Sequence, residues 1–133
     1  MTVIWNGEEI AGRVHRAVWQ SVIRGSMAVA NEAVRRIREP PKTGRIYRRR
    51  GVEHQASKAG ESPAADLGTL ENSVDVEFHE SELLGIVYAD APHAEWMELG
   101  TRRIRPRPYM GPALASRANA IQLDMARAAL AAL

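Results

Sequence analysis

The chain has no cysteine, so neither a disulfide framework nor a thiolate metal site is open to it, an absence that fits a reducing compartment. Aromatic residues are scarce at 5%, and much of the 45% apolar content is alanine, which predicts a thin core. No window approaches the roughly 20 apolar residues that span a bilayer, and the start, MTVIWNGEE, lacks a basic flank followed by an apolar run. Neither a cleaved signal nor a membrane contact is expected. Glycine-rich phosphate loops and H-E-x-x-H zinc pairs are also missing. His93, Glu95 and Glu98 lie close in sequence, but on a helix His93 and Glu95 point apart, and a metal needs converging ligands. His15, His54 and His79 stand at no spacing from a serine and an acid that chance would not give. The expectation is no catalysis, no metal and no cofactor, in one domain spanning all 133 residues.

What is present is segregated charge. The net charge is +2, yet Arg35 to Lys58 holds nine basic residues against Glu39 and Glu53, a net of +7. From Glu61 to Glu98 there are ten acids and no lysine or arginine, a net of −10. Such blocks favour contact between unlike surfaces, within one molecule or between copies.

The expected fold class is α+β: a long N-terminal helix and a C-terminal helix packed on a small, mainly antiparallel sheet, with a long basic loop or hairpin arm. The first helix should run over 6–38, with Asn6 as cap, Glu9 reaching back to the Asn6 N–H, and Pro40 and Pro41 ending it. Its apolar residues fall on two faces, Ile10, Val14, Ala17, Val18 and Val22 on one and Met27, Ala30, Val34 and Ile37 on the other. Either the helix bends near Gly25 and Ser26 or a partner covers the second face, and the partner is favoured. Residues 40–68, rich in Gly and Pro with Ile46, Tyr47, Val52 and Leu67 as its main apolar residues, form a solvated loop or an extended basic arm. As an arm it would be a loose hairpin of Arg45 to Arg50 with Glu53 to Lys58, ordered on a partner.

Residues 69–110 carry the strands. Val74, Val76 and Phe78 alternate with Asp75, Glu77 and His79, a half-buried strand. Leu83 to Ala89 is apolar on both faces and should lie inside the sheet, and Ile104 to Tyr109 could add an edge strand. A short helix over 93–99 should stop at Leu99, with Gly100 left-handed beyond it. The last helix, over 112–132 with Pro112 in its first turn, repeats Leu114, Ala118, Ile121, Met125 and Ala129 and should pack on the first.

Arginines are the one polar cluster above background. Arg45, Arg48, Arg49, Arg50 and Lys58 lie in the arm beside Tyr47, and Arg102, Arg103, Arg105 and Arg107 form a stiff connector with Pro106 and Pro108. They could touch phosphates non-specifically, but no recognition helix or aromatic platform points to base reading.

Several separated segments together resemble one family. TGRIYRRRGVEHQASKAGESPAADLGTLENSV, then an apolar strand, then HAEWMELGT and RPRPYMGPAL, are similar to the tail-completion and head-to-tail joining (neck) proteins of long-tailed bacteriophages. Gly68, Leu70 and Ser73 match that family's step into the strands. Ala94, Glu98, Gly100 and Thr101 match one box, and Arg107, Pro108, Pro112 and Ala113 a second. His93, Tyr109 and Pro106 stand where the family has tyrosine, phenylalanine and alanine. The resemblance implies a non-catalytic virion protein, assembled in the host cytoplasm as a homo-oligomeric ring of six copies at the neck, against neighbouring neck, tail-terminator or tail-tube proteins. On this basis Glu98 is expected to be an interface or connector-fixing acid paired with one of Arg102 to Arg107. The alternative is a small non-specific nucleic-acid-binding protein.

Overall fold

A computed structural model describes residues 1–39, 42–64 and 68–133. Pro40, Pro41 and Leu67, on which expectations above rested, lie outside the described residues. In chain order the elements are α1 (Gly7–Arg38), β1 (Ile46–Arg49), β2 (Val52–Gln55), α2 (Thr69–Asn72), β3 (Val74–His79), β4 (Leu84–Ala89), α3 (Ala94–Leu99) and α4 (Met110–Ala131). This is the α+β arrangement expected, with two separate two-stranded antiparallel sheets, β1–β2 and β3–β4.

The two long helices run antiparallel. Arg13 near one end of α1 donates to the Ala132 carbonyl at 3.1 Å, Ser21 donates to that of Asp124 at 3.5 Å, and Arg117 donates to Glu32 at 3.2 Å. Gly25 faces α4 between these ties, where a Cβ would stand 3.0 Å from a methyl of Ile121, so a larger residue would push the helices apart. The helix continues unbroken through Gly25 and Ser26. Its second apolar face is not left to a partner as a whole, because Ala30 and Ile37 are buried within the chain and only Met27 of that face is exposed. The capping box does not form either. Asn6, at φ −120° and ψ 32°, lacks the extended backbone that aims a cap side chain at the first turn, and makes no side-chain cap bond.

The core gathers where α1 ends and α4 begins. Val29, Ala33 and Ile37 meet Leu70 of α2, Ala91, Ala94 of α3, Tyr109 and Ala113 of α4. The Gly68, Leu70, Ser73 step is a one-turn helix that the periodicity did not reveal. Leu70 enters the core and the Ser73 hydroxyl donates back to the Leu70 carbonyl at 2.7 Å.

In β3–β4 the alternation predicts the faces correctly. Phe78 meets Trp19 of α1 edge-on at 5.9 Å, and Asp75 and Glu77 face out. Two expectations fail. Among the described residues β4 pairs with β3 alone, so it is an edge strand, and the side chains of its second apolar face, Leu84, Ile86 and Tyr88, are about 40% exposed. Ile104 to Tyr109 is not a strand, since the Thr101 N–H bonds the Ile104 carbonyl at 2.8 Å and the Arg107 N–H bonds the Met97 carbonyl at 2.6 Å, curling the segment back.

Candidate functional site

Glu98 organises the corner between α3 and α4. The first N–H groups of a helix have no partner within it and carry its positive dipole end. Here one carboxylate accepts three such bonds, from the N–H groups of Tyr109 and Met110, each at 2.9 Å, and from that of Gly111 at 2.8 Å. Glu98 therefore does not pair with an arginine of the connector, as expected from sequence. The aligned amides of α4 occupy both of its oxygens. They also start α4 at Met110, which puts Pro112 at the third helical position, where its missing N–H still had no partner to lose.

The segment between the helices is pinned at both ends. Gly100 has φ 74° and ψ 176°, a region open to glycine alone and not the left-handed helical one expected. A Cβ there would stand 2.8 Å from both the Ile104 carbonyl oxygen and Pro106 Cδ. Gly100→Ala should destabilise the fold by about 2 kcal/mol, read from urea unfolding curves. The Thr101 hydroxyl accepts from the N–H groups of Arg103 and Ile104 at 3.2 and 3.1 Å. This holds Arg102, Arg103 and Arg105 outward on an exposed loop.

The basic arm is a hairpin in the expected place. Tyr47 lies across from His54 with the rings stacked at 5.6 Å, and Arg48 lies across from Glu53. Arg49 ends β1, and Arg50 and Gly51, both with positive φ, make the turn. Its root is better anchored than the composition suggests, because Glu61 gathers it. That carboxylate accepts from the Thr43 hydroxyl, from the Thr43 N–H at 2.9 Å and from the Lys58 N–H at 2.8 Å. Lys42 donates to the carbonyls of Arg36 and Ser62 at 2.8 and 2.9 Å. Two further bonds join arm to connector, from the Gly60 N–H to the Pro106 carbonyl at 3.1 Å and from the Ser62 hydroxyl to the Pro108 carbonyl at 3.2 Å. The structure thus brings together arm and connector, two arginine groups far apart in sequence. Tyr47 and Arg49 of the arm and Arg107 of the connector line one cleft of about 480 Å³, floored by Ile37, Leu70 and Met97.

Most of these charges have no ion-pair partner among the described residues. Among the described residues Arg45, Arg48, Arg50, Lys58, Arg102, Arg103 and Arg105 form no ion pair, and neither do the acids Asp75, Glu82, Asp90 and Glu95. No hydrogen bond or ion pair joins the hairpin to the β3–β4 sheet among them. Compared with protein-family models, with curated proteins and with solved structures, the chain matches none.

Sequence reasoning missed a second carboxylate. Glu32, its side chain 3% exposed, is bound by Arg35 at 2.6 Å, Arg36 at 3.0 Å and Arg117 of α4 at 3.2 Å. An acid between Val29 and Ala33 on a stripe that is otherwise apolar or small was the available signal. Hydrogen bonding to Arg35, against the opposing effect of burial and with help from Arg117 and Arg36, holds its pKa at about 2. Glu61 is held at about 2 as well, chiefly by the Thr43 hydroxyl. Both are depressed by folding, so the stability they contribute is present above about pH 4.5 and is lost as the pH falls towards 2. Melting temperature measured by circular dichroism should drop over that window. In Glu32→Gln it should start lower at pH 7 and fall less steeply.

The histidines do not converge. His15 lies 3.9 Å from Glu80, His79 lies 2.6 Å from Glu77 and His54 stacks on Tyr47. Among the described residues no three His, Asp or Glu side chains could hold a metal ion, and no helix is long and apolar enough to cross a membrane.

Proposed function

We propose that this chain is a non-catalytic structural subunit of the neck of a long-tailed phage or prophage, completing the head-proximal end of the tail as a homo-oligomeric ring. The segregation of unneutralised charge carries the reading. Among the described residues no hydrogen bond or ion pair joins the cationic hairpin to the acidic sheet, and a ring brings two unlike surfaces of the same chain together at every interface. The resemblance of its HAEWMELGT and RPRPYMGPAL segments to neck proteins supports the same assignment, with six copies and with neck, tail-terminator or tail-tube proteins as neighbours. The subunit would reside in the virion, and in the host cytoplasm during assembly.

Cryo-electron microscopy of the parent particle tests this. A ring between tail tube and head connector built from this chain is expected, and absence of the chain from purified particles would overturn the reading. Changing Arg48, Arg49 and Arg50 together to alanine should leave the melting temperature within a few degrees of wild type, because all three side chains are exposed. The same variant should fail to incorporate into particles.

The junction of arm and connector favours a second reading, non-specific nucleic-acid binding, because one cleft takes an arginine from each, Arg49 and Arg107, beside the Tyr47 ring. DNA affinity would then fall with salt at a log–log slope of about 0.9 per phosphate neutralised. The ring reading expects oligomers that grow with protein concentration in the absence of DNA.

A further inference from the structure

We infer that the outward face of the β3–β4 sheet receives the β1–β2 hairpin of a second copy of this chain. The inference rests on the oligomer reading above and names the two surfaces that meet.

The sheet register makes two different faces. On the inner one Val74 pairs with Ala89, Val76 with Val87 and Phe78 with Gly85, and Gly85 lies so close to Ser26 and Val22 of α1 that nothing larger fits. On the outer one Asp75 pairs with Tyr88, Glu77 with Ile86 and His79 with Leu84. That face is therefore two columns, acidic and imidazole side chains along β3 and exposed apolar ones along β4. A two-stranded sheet is marginal in water unless its faces are covered, and among the described residues none closes over Leu84, Ile86 and Tyr88 on the outer one.

An occupant must be cationic, partly apolar and built on a strand repeat. The hairpin has these properties on the face it turns away from the body. Tyr47 and Arg49 point to the cleft, so Ile46 and Arg48 point outward from β1, and Arg50 projects at the turn. Ile46 is 57% exposed, and Arg48 and Arg50 are exposed and unpaired among the described residues. Alternate residues of a strand repeat at about 7 Å on both surfaces, and face-to-face sheets pack about 10 Å apart. With Ile46 on the apolar column of β4, the two guanidinium groups can reach Asp75 and Glu77. Within one chain both surfaces are exposed, so the hairpin does not cover its own sheet.

Other occupants fit less well. Nucleic acid would be repelled by the acids of β3. The exposed segment Met1 to Trp5 is apolar but has no charged side chain to neutralise them. The connector loop has its arginines but no strand repeat. Because donor and acceptor surfaces differ, each copy gives one hairpin and takes one, the head-to-tail relation that closes a ring.

Absence of native cysteine allows a direct test on the full chain. Copies carrying R48C mixed with copies carrying I86C, under mild oxidation, should yield a reducible dimer. The double variant R48C/I86C should yield a ladder ending at the closed ring. Cross-linking of R103C with I86C in place of R48C would overturn the inference, as would no cross-link in either mixture.

Charge exchange gives a second measure by sedimentation. R48E/R50E and D75R/E77R should each weaken association about tenfold or more, and a chain carrying all four changes should recover it. Losses that add without recovery would sink the inference. Oligomers unaffected by either exchange would do the same while leaving the ring reading intact, since the ring would then close through another surface. A wild-type chain that stays monomeric and is absent from particles would remove both.

Discussion

Tyr109→Ala should destabilise the fold by about 4 kcal/mol, a large share of the roughly 5–15 kcal/mol that holds a domain of this size together. The ring is 2% exposed and stands where α1, α2, α3 and α4 converge, packed with Ile37, Leu70, Ala91, Ala94 and Ala113. Three of these neighbours are alanine, too short to reach into the space, so even with Met97 and Met110 at the edge of the cluster a cavity would remain. The hydroxyl contributes little. Its bond to the Ala94 carbonyl is long, at 3.5 Å, and burial, with the nearby Glu98 charge, pushes its pKa up to about 12, so the ring stays neutral through the physiological range. Tyr109→Phe should therefore cost less than about 1 kcal/mol. Urea unfolding of the two variants separates packing from polarity, and equal losses would mean that the phenol oxygen, and not the ring, anchors the corner.

Glu98→Ala should cost about 2–3 kcal/mol, since three charge-assisted bonds to the first amides of α4 vanish together. This is more than a single N-cap contributes, about 1 kcal/mol, because one carboxylate serves three donors from a different helix. Glu98→Gln should fall between, since its amide keeps one acceptor oxygen. The effect has a location as well as a size. Hydrogen exchange at Tyr109, Met110 and Gly111 should accelerate strongly in Glu98→Ala, while amides in the middle of α1 change only as far as global stability changes. A loss below about 0.5 kcal/mol with unchanged exchange at these three amides would show that water caps α4 as well as the carboxylate does. Assembly should suffer too, because the same corner aims the arginine loop.

Of the three carboxylates that tie the fold together, Glu98, Glu61 and Glu32, sequence reasoning points to Glu98 alone, and to the wrong partner for it. Glu98 drew notice beside Arg102 to Arg107, and opposite charge at short spacing is a reasonable guide on a surface. The amides of α4 won because they are fixed in direction by the helix, whereas the arginine side chains lose freedom on pairing and keep their hydration when they do not. Glu32 meets Arg117 across 85 positions, and no local pattern announces such a partner. The strand errors have a related origin. An apolar residue in a strand shows that a surface is to be covered and does not say by which molecule, so Leu84, Ile86 and Tyr88 read as sheet interior when the chain leaves them at its surface.

By itself the sequence determined whatever is local and periodic. It set two long helices from a repeat near 3.6, a β-strand from strict alternation at Val74 to His79 and a helix stop at Gly100, and left 40–68 open between a loop and a basic hairpin. Backbone preference and solvent decide such features over a few residues. Only the tertiary structure decided which donors Glu98 serves, that the 100–109 segment curls back instead of extending, that Arg49 of the arm and Arg107 of the connector share one cleft, and which apolar face stays open. Those depend on groups far apart in sequence arriving at hydrogen-bonding distance, and the geometry of the whole fold supplies that distance.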